Sequence, residues 1–242
     1  MIKLRPRSFH DQIVEELGQK IVGGKLDSTQ LPPEAILAES LGVGRLVLRE
    51  AMKVLAAKGL VSIRPKTGTH VLPRENWNLY DPRVLSWHAS AAFDEKFVAD
   101  LMELRHTIEP AAARLVATRA SDAQIDTMRL AYLAMEEAVT QDDYITADLR
   151  FHAAMLQACG NQFISQLQYA LSEVLRTSFK ASGTSPDPSG RALPLHKALL
   201  VAIEKHDPDA AQLATEILIK RATQNILASG MLKTATPAGA SN

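Results

Sequence analysis

LPPEAILAESLGVGRLVLREAMKVLAAKGLVSIRPKTGTHV, residues 31–71, holds three patterns in direct succession. LPPEAILAESLG reads as a first helix, VGRLVLREAMKVLAAKG as a second, and the segment from LVSIRPK through GTHVLP as a two-stranded wing. Val43, Leu48, Met52 and Leu55 of the second pattern, with Leu41 just before it, already supply a core face. Arg45 and Arg49 are therefore left facing outward together at i, i+4. Planar guanidinium forks at the start of a helix and one turn later can meet guanine edges or phosphates in a groove. The stretch predicts a winged helix-turn-helix that binds double-stranded DNA. Helix pairs joined through a glycine turn also occur as plain packing units, and Arg49 beside Glu50 could be surface charge. The ready-made core face favours the DNA-facing reading.

Charge supports it once the chain is divided. The 27 Lys+Arg cancel the 27 Asp+Glu of the 242 residues. Residues 1–74, however, hold 12 basic and 7 acidic side chains, and residues 75–242 hold 15 and 20. The positive end can meet phosphate and release counterions, while the acidic remainder limits non-specific adhesion. A single cysteine, Cys159, excludes an intramolecular disulfide and fits a reducing compartment. No apolar run approaches a transmembrane span, and MIKLRPRSFHDQ lacks the apolar core of a signal peptide. The expected setting is cytoplasmic, with no membrane partner.

The expected organisation is a winged helix-turn-helix domain over 1–74, a linker over 75–92, a helical domain over 93–230 and a disordered tail over 231–242. RENWNLYDPRVLSWHAS in the linker carries Trp77, Tyr80 and Trp87, which predicts packing against a domain rather than a flexible tether. Beyond it the period is helical throughout. FDEKFVADLMELRHTIEPAAARLVATRA has apolar residues at 97, 101, 104, 108, 112 and 115, with Pro110 expected to kink the helix. Ser121 is an N-cap candidate for the next helix, and Gly160-Asn161 a C-cap signal for the one after. The fold class is mainly α: an N-terminal winged helix-turn-helix followed by an all-α antiparallel helical bundle.

Polar residues interrupt the apolar stripes of this bundle. Asp148 and His152 are i, i+4 on a stripe that includes Ile145, Met155, Leu156 and Cys159. His196 shares a face with Leu199, Leu200 and Ile203, and Arg105 sits between Leu101 and Ile108. Burying such groups without partners costs several kcal/mol, on the order of what a lost ion pair costs, so they must be paired, shifted in protonation or ligand-bound. An Asp/His pair at i, i+4 with a His from another helix can hold a divalent metal, and such O/N sets suit zinc, nickel or manganese. The alternatives are an Asp148–His152 hydrogen bond without metal, and an Arg105–Glu109 ion pair at i, i+4. His10, His70, His88, His106 and His206 read as surface or structural residues.

Two resemblances sharpen these readings. The run from Ile13 to Val71, with its I-x-x-G-x-L segment, L-P-x-E, G-V-x-R-x-x-x-R-E-A, G-L-V and G-T-x-V, resembles the DNA-binding domain of GntR-family bacterial transcription regulators. The resemblance implies DNA contacts by Arg45, Arg49 and the wing residues Lys66, Thr67 and Gly68. Ala35 and Gly44 depart from its usual Arg and Ser/Thr. Residues 93–228 resemble the FCD effector domain of the FadR-type subfamily, through E-x-R-x-x-x-E-P at Glu103–Pro110, D-x-x-F-H at Asp148–His152 followed by G-N, and L-H-x-A-L around His196. That likeness implies a divalent metal on one Asp and three His with an organic acid above it. Asp148, His152 and His196 match three ligands, and Leu218 stands at the fourth place. Either a three-ligand open site or a metal-free polar pocket follows. Arg105 is then a clamp for a small carboxylic acid effector. Within the subfamily, N-W-N with D-x-x-V-L-x-W at Asn76–Trp87 resembles the galactonate-operon repressors, which implies an aldonic or related sugar acid.

The resulting expectation is a ligand-responsive transcription regulator, a repressor working as a homodimer on operator DNA, since one recognition helix covers only a half-site. The competing readings are a metal-dependent enzyme with a fused DNA-binding domain, which lacks a placeable general base or nucleophile motif, and a constitutive DNA binder without effector.

Overall fold

A computed structural model of the chain describes residues 9–26, 30–65, 67–90, 95–169, 171–172 and 192–228. The proposed tail over 231–242 and Lys66 lie outside the described residues. The chain divides into two compact units, residues 1–92 and 93–242.

In the first unit α1 (Phe9–Val22), α2 (Glu34–Ser40) and α3 (Arg45–Ala57) precede the wing strands β1 (Val61–Arg64) and β2 (Gly68–Val71), and α4 (Pro82–Ser90) follows. β1 and β2 pair antiparallel in the register Val61 with Val71 and Arg64 with Gly68. The apolar positions of α3 behave as their spacing predicts: Leu48, Met52 and Leu55 are buried, and Leu41 and Val43 pack against the same cluster. Gly42, in the turn between α2 and α3, has φ +66°, a conformation in which a Cβ is strained.

The segment read as a linker belongs to this unit. Trp87 of α4 is buried with Val84 in the cluster formed by Leu17, Ile21 and Leu55, and its indole Nε1 donates to Glu15 Oε1 at 2.8 Å. Arg83 reaches the same carboxylate, its Nη2 lying 3.3 Å from Glu15 Oε2. Trp77 Nε1 donates to the Leu72 carbonyl at 2.9 Å, tying the chain after the wing back onto it. A boundary at residue 74 is too early because the winged domain alone leaves the face of α1 uncovered, and Trp87 covers it.

The second unit is helical: α5 (Glu95–Arg119), α6 (Asp122–Glu136), α7 (Gln141–Ala158), α8 with described helical residues 162–169 and 171–172, α9 (Ala192–Glu204) and α10 (Pro208–Ala228). α6 packs on α7 and α9 on α10, as short connections between neighbouring helices favour, while the first and last helices, α5 and α10, pack together to close the bundle. α6 starts at Ser121, whose backbone N–H is met by the Gln124 side chain at 2.9 Å. α7 starts in a reciprocal box of Thr140 and Asp143, with Asp143 N–H donating to Thr140 Oγ1 at 3.1 Å. Gly160, at φ +70°, ends α7. α5 continues through Pro110, which is buried.

The inward face of α5 differs from the sequence reading. Its centre runs through Val98, Met102, Arg105, Glu109, Ala112 and Val116, whereas Leu104, Ile108 and Leu115 lie half-buried at its margin. The apolar count misplaces the face because two charged residues and several alanines occupy its middle.

Gly18 lets a large side chain lie directly against α1. A Cβ at this position would meet the Trp87 ring at 2.5 Å. Overpacking of this kind costs about 1–3 kcal/mol, against a gain of about 0.5–1 kcal/mol when Ala replaces Gly in a helix. Gly18→Ala is expected to lower the denaturation midpoint of the full chain and shift its tryptophan fluorescence, as followed in a urea titration.

Candidate metal centre and nucleic-acid interface

In the first unit Arg45 opens α3 and Arg49 follows one turn later, and both are exposed. Arg49 Nε donates to Glu34 Oε2, at the start of α2, at 2.7 Å. Glu50, the sequence neighbour of Arg49, instead accepts from Lys53 at 2.8 Å. Thr67 and Gly68 lie exposed at the wing tip, where Gly68 takes φ +85°. Gln30 Nε2 donates to the Thr67 carbonyl at 2.5 Å, and Leu31 N–H to the Thr69 carbonyl at 2.8 Å, so the segment before α2 braces the wing. Arg64, exposed at the end of β1 opposite Gly68, joins the same surface and was not among the sequence candidates. Its signal was present, since a basic residue closing a wing strand sits beside the tip. Glu34, which holds Arg49, lines one surface groove with Arg64, Thr67 and Gly68.

In the second unit the four polar residues read from three stripes come together. Arg105 of α5, Asp148 and His152 of α7 and His196 of α9 line one small cavity with Ala192, Leu218, Arg221 and Ala222. Helical phase explains Asp148 and His152: residues four apart share a face. The donor atoms of Asp148, His152 and His196 lie within 4.8 Å of one another, and all three residues are buried. Two members of the setting were not assigned to it from sequence. Arg221 lines the cavity from α10, and Glu109, read only as a partner for Arg105, also touches His152. Both lie one turn from a residue that was identified, which is the signal that could have found them.

The contacts fix the roles of the ring nitrogens. His196 Nδ1 lies 2.9 Å from the Ala192 carbonyl, which can only accept, so Nδ1 carries the proton. Neutral His196 then faces Asp148 Oδ1 with a bare Nε2 at 2.9 Å, two electron-pair donors in contact. Such a contact requires a cation between or beside them, either a proton on Nε2 or a metal ion. Glu109 Oε2 stands 2.8 Å from His152 Nδ1, a proximity that favours the proton on Nδ1 and a lone pair on Nε2. Neither close contact reaches the alignment of a true hydrogen bond, so both nitrogens stay buried without a directed partner. A carboxylate or carbonyl behind each ring is the arrangement that orients imidazole ligands toward a metal. The residues present therefore fit a divalent ion with three protein ligands. Leu218, buried at the fourth place, offers none.

Arg105 is already half engaged: Nε donates to Glu109 Oε1 at 2.5 Å and Nη2 to Oε2 at 3.4 Å. Burial alone would raise the Glu109 carboxyl, but the charges of Arg105 and His152 outweigh it and hold it far below the usual carboxylate range. Burial opposes ionisation of Asp148 in the same way, and the contact with His196, with further help from His152 and Arg105, keeps its carboxyl below its ordinary value. The Arg105 guanidinium, which burial would lower, is raised by Glu109. Both carboxylates are thus charged at neutral pH.

Comparison with known proteins fits both units. The family model described as "Bacterial regulatory proteins, gntR family" matches residues 9–71, and the FCD domain matches residues 100–221. The galactonate operon transcriptional repressor of Escherichia coli is 34% identical over 221 residues, covering 89% of this chain and 96% of that protein. The chain belongs to the GntR family of transcription regulators and carries an FCD domain. A second Escherichia coli protein, the uncharacterized HTH-type transcriptional regulator YieP, is 32% identical, covering 86% of this chain and 91% of its own. A solved structure titled "Lar controls the expression of the Listeria monocytogenes agr system and mediates virulence" shares the fold at TM-score 0.67 and 16% identity, covering 93% of this chain and 99% of that one. The family is one of DNA-binding regulators, which removes the metal-dependent enzyme from consideration. Among the described residues no helix is long and apolar enough to cross a membrane.

Removing one partner of a buried pair costs about 3–5 kcal/mol, because the other charge stays behind. Glu109→Gln is expected to lower unfolding stability on that scale at pH 7. A depressed folded-state pKa contributes stability above the unfolded value of 4.5 and loses it as the pH falls below, so the gap between wild type and E109Q should narrow in acid. Chemical denaturation of both proteins at pH 7 and pH 4 measures it.

Proposed function

We propose that this chain is a repressor of a sugar-acid catabolic operon, that it binds its operator as a homodimer, and that a small carboxylic acid in the bundle releases it. The carrying observation is the buried convergence of Asp148, His152 and His196 with Arg105 around one cavity. Three electron-pair donors and a guanidinium side by side are a receptor for a cation and a carboxylate together. The name of the galactonate operon relative supports an aldonic acid or a close analogue as the effector.

Asp148, His152 and His196 would hold the metal, with zinc the first choice and nickel or manganese also compatible with one oxygen and two nitrogen donors. A bound divalent ion would supply a Lewis-acidic anchor for an oxygen of the acid. With Leu218 contributing no ligand, coordination positions remain for the effector's own carboxylate or hydroxyl. Arg105 binds Glu109 through Nε and Nη2, and among the described residues Nη1 makes no hydrogen bond. That remaining donor is the clamp for the effector carboxylate.

The cavity is about 20 Å³, enough for an ion or one water and too small for a sugar acid. Admitting the acid therefore requires the side chains around it to move, Leu218 and Arg221 of α10 foremost. A bundle with two arrangements, one of which the acid favours, gives effector control of DNA affinity, limited to the difference in acid affinity between the two states. In the winged unit Arg45, Arg49 and the wing with Lys66, Thr67 and Gly68 make the DNA contacts. Two such units related by a dyad would read an inverted repeat. Action on an operator places the protein in the cytoplasm.

The test uses a duplex enriched from a random-sequence library by the wild-type chain and follows its binding by fluorescence anisotropy at fixed salt. Galactonate or a related aldonate should weaken binding at least tenfold in the metal-loaded protein and much less after chelation, with metal near one per chain by elemental analysis. Intact DNA binding that no sugar acid alters, with or without metal, would remove the effector reading. Arg49→Ala should weaken binding to the same duplex by about 1–3 kcal/mol without unfolding the chain, if the contact is bidentate to a base.

A further inference from the structure

The contact between Glu34 and Arg49 places a negative charge on the face that otherwise gathers arginines. The pair joins α2 to α3 across 15 positions of sequence, with Arg49 Nε 2.7 Å from Glu34 Oε2. Its two side chains are 62% and 34% exposed. Pairs this exposed add little to folding stability. A carboxylate beside the proposed phosphate-binding surface also repels DNA. A contact that gives the fold little and opposes generic DNA affinity needs another explanation.

Geometry supplies one. Arginine carries five N–H donors in a rigid planar fork. Glu34 occupies the inner donor, Nε, and among the described residues Nη1 and Nη2 of Arg49 make no hydrogen bond. The outer pair is thus unspent, and two parallel N–H groups match the O6 and N7 acceptors of guanine. Arg45, one turn earlier, makes no corresponding contact among the described residues, and Glu50 is occupied by Lys53. Of the two outward arginines of α3, Arg49 is the one whose fork is held before DNA arrives. Holding it reduces the rotamer freedom lost on binding and denies the side chain the nearest phosphate.

We propose that Glu34 is a positioning residue for base readout: by binding Arg49 through Nε it presents the Nη pair to a base edge, trading generic DNA affinity for discrimination between sequences. The proposal rests on the reading that α3 docks in the DNA groove.

The experiment compares wild type, Glu34→Gln, Arg49→Ala and the double variant on the enriched duplex and on a shuffled duplex of equal length and composition, by anisotropy at two salt concentrations. Glu34→Gln should bind the enriched duplex three- to tenfold more weakly and the shuffled duplex two- to threefold more tightly, with an unchanged melting temperature. In the Arg49→Ala background Glu34→Gln should no longer weaken binding to the enriched duplex. Tighter binding to both duplexes by the same factor would overturn the proposal, leaving Glu34 as a repulsive charge only. An equal loss of enriched-duplex binding with and without Arg49 would overturn it too, since the effect would not pass through that side chain. If the wild-type chain enriches no duplex at all, the groove-docking reading itself fails, whereas enrichment with an insensitive Glu34→Gln sinks only the positioning role.

Discussion

Burial of ionisable groups between α5, α7 and α9 is the constraint on which the second unit depends. Arg105 and Glu109 are almost wholly inaccessible, as are Asp148, His152 and His196. Charges in such a place survive only when each has an opposite beside it. Glu109 meets Arg105 with both carboxylate oxygens and His152 with Oε2, and Asp148 faces His196. The set crosses three helices, so it fixes their relative phase in a way that an alanine-rich face cannot. It also explains why α5 turns Arg105 and Glu109 inward and leaves Leu104 and Ile108 at the edge.

The same cluster is where stability and responsiveness meet. His196 and Asp148 confront each other across a contact that needs a cation, and Arg105 lines the same cavity. A site with unspent bonding capacity is a source of differential affinity between arrangements of the bundle, which is what regulation by a ligand requires. Replacement of these groups by apolar residues would simplify packing and remove any handle for an anion.

The first unit obeys a different constraint, the close approach of a ring to a helix backbone. Gly18 lets the Trp87 ring lie directly on α1, and the indole N–H finds Glu15. Because of that contact, the chain following the wing is part of the DNA-binding unit, and α4 ends within a few residues of the unit boundary. The helix-turn-helix, by contrast, is held by local apolar spacing and leaves its polar face for DNA.

Sequence alone determined the order of elements, the core positions of α3, the N-cap of α6 and the C-terminal stop of α7, the family, and the membership of Arg105, Asp148, His152 and His196 in one group. Each of these rests on spacing within a single helix or turn, or on motif order, where the covalent chain sets the geometry. Tertiary structure decided what spacing cannot encode. Trp87 belongs to the winged unit because α1 offers a glycine for it to rest on. His196 meets Asp148 because folding sets its helix beside α7. Arg221 joins the cavity because α10 packs against α5 and α9. Arg49 is held by Glu34 because α2 and α3 cross where they do. In every such case the partners lie on different turns or different helices, and only folding sets the distance between them.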